Sequence, residues 1–397
     1  MLDEARLETP DTDFFKNARY IETKSIPELR SQLTADVEKR LKAGSDDPSF
    51  GADVQGVLSY LANEEDHDSE GRDQGYTKQS FSRTELVTAT SMPELRRADY
   101  LLYRYRFNEY PRKRQTARMP IILAVEPTSV CNLRCTMCFQ ADERLRRNRK
   151  LMGFMNRELY EKIIYEAAEK GVGGIVLASR GEPLLHKEIA DFVRIAKEAG
   201  IMDVKLNTNA TKLTADKARA LLRAGLDNLV FSVDSAEKHQ FEKIRVGAKF
   251  EQVVANIRQF NEIRKTEFPD APTRTRISMV LLDGDQDAEY AAKFWSELVD
   301  EFAVRWEIPR LGIYDKDDIT GDRPCSLLWE RLYIWWDGIV NTCDEDYLSK
   351  LQIGQLSLDS DETIEGLWSG DRMNFYREIH SAGKRRTINP CAQCPGL

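Results

Sequence analysis

Between residues 120 and 310 the sequence alternates short apolar runs with amphipathic stretches, and this alternation restricts the fold more than any other feature. The runs IILAVEP (121–127), GIVLAS (174–179), DVKLNTN (203–209), NLVFSVD (228–234), RISMVLL (276–282) and VRWEIPR (304–310) have the length and β-branched content of strands. Between them, Arg157 to Lys170, His186 to Ala199, Thr214 to Ala224 and Phe250 to Phe268 have helical length and spacing. Strands and helices that alternate in this way form parallel β/α units. Six units are too few to close an eight-stranded barrel. The expectation is an α/β fold with an open, partial (β/α)6 TIM-like barrel, and ligands at the C-terminal ends of its strands.

The flanks read differently. Residues 1–115 are rich in charge and predict a helical N-terminal extension, whose role the sequence does not define. Ser25-Ile-Pro-Glu28 and Ser91-Met-Pro-Glu94 each fit a capping box, with Ser at the helix start and Glu three residues on. Asn63 to Gly75 is acidic and polar, the composition of a flexible loop. The basic stretch Arg104 to Arg118 reads as a solvated linker into the first strand. Residues 116–315 hold the β/α core, and residues 316–397 form a small C-terminal domain rich in aromatics and cysteine. A net charge of −8 disfavours nucleic acid as the main partner. The acidic first thirty residues do not resemble a secretory signal, and no apolar run reaches the roughly 20 residues that span a bilayer. A cytoplasmic protein without a membrane partner is expected.

The seven cysteines fall in two groups. Cys131, Cys135 and Cys138 lie in the loop after the first strand, as Cys-x3-Cys-x2-Cys followed by Phe139. Cys325, Cys343, Cys391 and Cys394 all lie within the last 73 residues. This placement predicts one site of three thiol ligands and one of four. Three thiolates on a four-iron cluster leave one iron open to a ligand that is not protein. A zinc site would need a distant fourth donor such as His186 or His239, and neither stands in a metal-binding spacing.

Cys-x3-Cys-x2-Cys plus an aromatic, in the loop after the first strand, resembles the hallmark of the radical S-adenosylmethionine (SAM) superfamily. Further matches run through the core. Ser179-Arg-Gly-Glu-Pro183 is similar to the family's Gly-Gly-Glu-Pro motif, with Arg180 in place of the first glycine. The resemblance implies that Gly181, Glu182 and Pro183 form the site for SAM's amino group. It also implies that Phe139, Asn207, Asn209 and Ser232 line the cofactor, and that Arg245 meets its carboxylate. The C-terminal cysteines, with Gly338 placed as Gly-x4-Cys ahead of Cys343, resemble the SPASM extension in its shorter Twitch form. The four-thiol set therefore implies a closed auxiliary cluster, and the implied cofactors are SAM and two [4Fe-4S] clusters. Trp329, Tyr333, Trp335 and Trp336 read as packing beneath that cluster.

A closed cluster accepts an electron more readily than it binds a substrate, which suits a two-electron oxidation. The spacing resembles the Twitch dehydrogenases that act on aminocyclitols in antibiotic biosynthesis. The expected function is oxidation of a hydroxyl on a sugar, cyclitol or similar polar metabolite, fed by a one-electron reductant such as flavodoxin or ferredoxin. A peptide- or protein-modifying SPASM maturase is the alternative, and a non-catalytic electron carrier or zinc scaffold a third reading. In the sixth strand's exit, Glu307 is the candidate base for the hydroxyl proton, and Arg310 the candidate to orient the substrate.

Overall fold

A computed structural model describes residues 25–63, 79–282, 284–308, 310–315 and 322–394. The expected loop over 63–75 lies, beyond Asn63, outside the described residues, as do most of the first thirty residues. The chain forms two compact units, Met1–Gln115 and Thr116–Leu397.

The first unit contains the helices α1 (Ile26–Ala43), α2 (Phe50–Ala62), α3 (Arg83–Ser91) and α4 (Glu94–Lys113). Leu33, Val37, Val54, Val57, Leu86 and Leu101 are fully buried and form its core. Each such side chain contributes roughly 1.5–3 kcal/mol through burial. At the start of α1 the Glu28 carboxylate accepts from the Ser25 N–H at 2.8 Å, as the sequence predicts. The second expected box is not where the sequence placed it. Pro93 cannot donate and fixes its own φ, so α4 starts at Glu94, after Pro93. Ser91 instead ends α3, its hydroxyl donating to the Thr88 carbonyl, and the capping box belongs to Ser82 and Glu85. The linker reading of Arg104 to Arg118 is also corrected, because α4 runs through Lys113. Arg104 is buried against Glu85 at 2.8 Å, and Arg106 binds Asp53 and Asp47 at 2.7 and 2.6 Å. Internal carboxylates account for these charges, and a count of basic residues cannot show that.

The second unit is built on one nine-stranded sheet. Its parallel strands are β1 (Ile122–Val125), β2 (Gly174–Leu177), β3 (Asp203–Thr208), β4 (Asn228–Ser232), β5 (Arg274–Leu281) and β6 (Glu301–Trp306). They follow one another in chain order across the sheet, with helices between, as a partial TIM barrel requires. On the far side of β1 the sheet continues into β7 (Arg331–Ile334), β8 (Ile339–Asn341) and β9 (Gln352–Gln355). β7 is parallel to β1, and β7 to β9 form an antiparallel meander.

Alternation along the strands separates two faces. Val204, Leu206, Leu229, Phe231, Ile277 and Met279 are fully buried. Their neighbours Lys205, Asn207, Ser232, Arg276 and Ser278 are half-buried. The polar set forms the inner face, and its register aligns Ser232 with Ser278 and Ser278 with Ala303. Among the described residues, no helix is long and apolar enough to cross a membrane.

Candidate radical SAM site

Because β1 to β6 are parallel, all their C-terminal ends open on one edge, and the first cysteine loop leaves from that edge after β1. The Arg134 N–H donates to the Val246 carbonyl at 2.9 Å and the Thr136 N–H to Ile244 at 3.0 Å, tying the loop to the segment after β4. Arg245 Nη1 reaches Cys135 Sγ at 3.8 Å, and Asn209 Nδ2 reaches Cys131 Sγ at 4.0 Å. Burial pushes the Cys131 thiol up to about 12 and raises Cys135 and Cys138 as well. Such thiols give up their proton to a metal rather than to water. Among the described residues, no group of three or more His, Cys, Asp or Glu is arranged to hold a single metal ion. A four-iron cluster takes its thiols from separate corners, over a wider spread than one ion needs. Nor is His186 available as a zinc ligand. Its Nε2 pairs with the Met155 carbonyl at 3.0 Å, and its Nδ1 accepts from the Glu188 N–H at 3.2 Å.

The residues expected to hold SAM converge beside this loop. A Cβ on Gly181 would lie 2.1 Å from the Thr128 carbonyl oxygen, so only glycine lets the two backbones meet. Glu182 is buried and accepts from the Thr208 hydroxyl (2.6 Å), the Asn209 N–H (2.7 Å) and the Leu184 N–H (3.0 Å). Burial raises its pKa, and these three donors oppose the rise. Pro183 opens the short helical turn that follows. Arg245 Nε binds the fully buried Asp234 at 2.5 Å, and Asp234 also accepts from the Val280 N–H at 3.0 Å. Ser232 ends β4 on the inner face. Two buried polar atoms here, Ser179 Oγ and Asn207 Oδ1, have no protein partner among the described residues. Ser179 also holds φ at +147°, a region that L-residues rarely adopt. Unsatisfied acceptors, a backbone cradle and opposed charges fit a polar zwitterion such as SAM.

Arg180 does not crowd this cradle, because its side chain turns to the C-terminal domain. It forms a bidentate pair with Glu126 at 2.7 and 2.8 Å, donates to the Tyr347 carbonyl at 3.1 Å, and lies 4.4 Å from the Trp335 ring centroid. Both partners of this pair are almost fully buried. The sequence gives no sign that Glu126 is its partner, since 54 residues separate the two.

In the C-terminal domain the four remaining cysteines are all partly buried. Cys325 and Cys343 pack on Ala124, Leu327, Tyr333 and Trp335, so two of the expected aromatics lie beneath them. Burial raises all three thiols of Cys325, Cys343 and Cys391, and each also responds to the charge on Cys394. Arg385, itself buried, donates to the carbonyls of Cys391 and Cys394 at 3.1 and 2.8 Å. One aromatic cluster joins the two cysteine groups: Phe139, Ile313, Tyr314 and Tyr347 are packed by both Cys138 and Cys394. Phe139 stacks on Tyr347 with ring centroids 5.4 Å apart.

Arg310 lies between the two groups, but it is already engaged. It pairs with Glu345 at 2.9 Å and Asp344 at 3.8 Å, and sits 5.8 Å from the Phe139 ring centroid. These contacts clamp the loop that follows Cys343. Glu307 directly follows β6, where its N–H donates to the Leu281 carbonyl at 2.8 Å. Sequence reasoning missed Arg305. It lies two residues before Glu307, and the period of a strand puts it on the same inner face.

An open parallel sheet with three thiols after β1 and a polar, charge-paired cradle at the next strand ends is an arrangement that fits a radical SAM core. Residues 125–294 match the Radical SAM superfamily, and residues 325–395 match SPASM, an iron–sulfur cluster-binding domain. Residues 125–294 thus carry a Radical SAM domain and residues 325–395 an SPASM domain, and the two domains imply SAM and iron–sulfur clusters as cofactors. The match is to SPASM as a whole and does not single out its Twitch form. The GTP 3′,8-cyclase of Limosilactobacillus fermentum is 30% identical over 191 residues, covering 46% of this chain and 50% of that protein. The chain spans half or less of the length of the curated relatives it matches. Among solved structures, anSMEcpe with bound AdoMet is 17% identical with a TM-score of 0.52, covering 69% of this chain and 89% of that one. BtrN in complex with AdoMet and 2-DOIA is 20% identical with a TM-score of 0.49, covering 70% and 94%. The likeness to anSMEcpe shows the shared fold.

Proposed function

We propose that this protein oxidises a hydroxyl of a polar small metabolite, such as a sugar or cyclitol, to a ketone. Cys131, Cys135 and Cys138 would hold a [4Fe-4S] cluster with one open iron, and Cys325, Cys343, Cys391 and Cys394 a second, closed cluster. When bound, these groups and SAM supply a 5′-deoxyadenosyl radical that takes a hydrogen atom from carbon, and an acceptor for one further electron. The substrate loses a hydrogen atom, a proton and an electron, which balances as alcohol to ketone. Glu182, Asn207, Asn209, Ser232 and Arg245 position SAM, with Asp234 fixing Arg245. Glu307, at the end of β6, takes the hydroxyl proton.

The observation that carries this reading is the second cysteine set. Four thiols on one four-iron cluster would leave no position for a substrate, and Cys394 of this set packs on the same aromatic cluster as Cys138. An external one-electron reductant completes the cycle. Reduced, reconstituted enzyme should form 5′-deoxyadenosine and ketone together when given SAM and the right alcohol. Glu307→Gln should lower kcat by roughly a hundredfold or more and leave cluster content unchanged. Formation of 5′-deoxyadenosine from a panel of alcohols without any ketone would refute the reading. The relatives named GTP 3′,8-cyclases favour a second reading, radical addition within a nucleotide. GTP-dependent 5′-deoxyadenosine formation, with no ketone, would select it.

A further inference from the structure

We propose that the substrate carries an anionic group, a carboxylate or a phosphate monoester, and that Arg305 at the mouth of the barrel binds it. The proposal rests on the dehydrogenation reading for the rest of the substrate, and it concerns a residue with no other employment in the fold. Arg305 is the penultimate residue of β6 and pairs in register with Val280, two residues beyond the Ser278–Ala303 pair and so on the same face. It therefore stands on the inner face, at the edge where the first cysteine loop, Asp234 and Arg245 also lie.

Its surroundings are charged. Crowding by the surrounding protein atoms and the guanidiniums of Arg310 and Arg276 disfavour its charge, and Asp344 and Glu345 favour it, while the side chain as a whole stays exposed. The two carboxylates are already held by Arg310 at 3.8 and 2.9 Å. Among the described residues, the Arg305 guanidinium makes no hydrogen bond or ion pair, although its side chain remains open to solvent. Other arginines on this side of the sheet do have partners. Arg245 has Asp234, Arg180 has Glu126 and Arg310 has Glu345.

An arginine that faces two guanidiniums and two carboxylates already held by Arg310, and is hydrogen-bonded to none of them, keeps five N–H donors in a planar fork that matches a carboxylate or phosphate. Where cations are crowded, each is less favourable than alone, and an anion that joins them relieves that cost. A neutral sugar would leave the repulsion in place. An anionic group on Arg305 would also fix the distance from the charged end of the substrate to Glu307, two residues along the chain.

The test uses the reconstituted, SAM-loaded enzyme and three alcohol panels matched in ring structure: neutral, uronate and phosphate monoester. Wild type should form 5′-deoxyadenosine with one acidic panel, which identifies the source of the charge, and not with the neutral panel. Arg305→Gln should raise KM for that substrate roughly ten- to hundredfold, and Arg305→Lys should recover part of the loss. Iron content and the visible spectrum of each variant report whether the clusters are intact. In parallel, binding of acetate and of inorganic phosphate to the same protein is followed by calorimetry. One of them should bind to wild type and be lost in Arg305→Gln. Turnover of the neutral panel by wild type as fast as of either acidic panel, or anion binding unchanged by the substitution, would overturn the proposal. Acidic substrates that drive SAM cleavage but give no ketone would refute the dehydrogenation reading and leave the anion site standing.

Discussion

At the scale of single residues, the site depends on backbone space and buried charge. Gly181 faces two carbonyl oxygens, at 2.1 and 2.7 Å from where a Cβ would stand. Gly181→Ala should cost about 1–3 kcal/mol by overpacking and should reduce iron incorporation, measured by denaturant melts and iron analysis. Arg180 gives a sharper contrast. The related motif has glycine at this position, so resemblance alone predicts that Arg180→Gly is harmless. The structure predicts a loss of about 3–5 kcal/mol, because Glu126 would be left in a buried site with no counterion. Pairing the change with Glu126→Gln should recover part of that loss in the same melts. Arg180 is therefore a tie between the core and the C-terminal domain in this chain, and its place in the motif is incidental to that role.

At the scale of elements, the hairpin between β7 and β8 sets the geometry of Cys343. Gly338 turns the chain at φ +82°, and a Cβ there would lie 2.0 Å from the Leu356 carbonyl oxygen. Gly338→Ala should distort the meander and lower the iron bound per chain, read by metal analysis, while Cys131, Cys135 and Cys138 still hold theirs. The six core strands were legible because each is a short apolar run with helices on either side, and their observed bounds differ from the expected ones by a few residues. The strands β7 to β9 were not legible. They are three or four residues long, too short to show alternation, and they gain their order by extending the sheet from β1. The capping box at Ser91 failed for a local reason, Pro93, whereas the one at Ser25 held. The cysteine groups and the Gly-Glu-Pro turn could be read from spacing. Arg305 and Glu126 could not, because what distinguishes them is the presence or absence of a partner far away in the chain.

At the scale of the whole molecule, the proposed reaction needs the core and the SPASM domain to work as one machine with two metal centres. Iron and sulfide should each reach roughly eight per chain after anaerobic reconstitution, as two four-iron clusters. Replacing Cys391 and Cys394 together by alanine should halve that content and leave SAM cleavage measurable, yet stop ketone formation, since the substrate radical would have nowhere to pass its electron. Dehydrogenation is tested most directly by the ratio of ketone to 5′-deoxyadenosine in single turnovers of the reduced enzyme with an acidic sugar or cyclitol. The ratio should be one in wild type and near zero in the double variant. Wild-type cleavage of SAM with a rearranged or cyclised product and no ketone would contradict it.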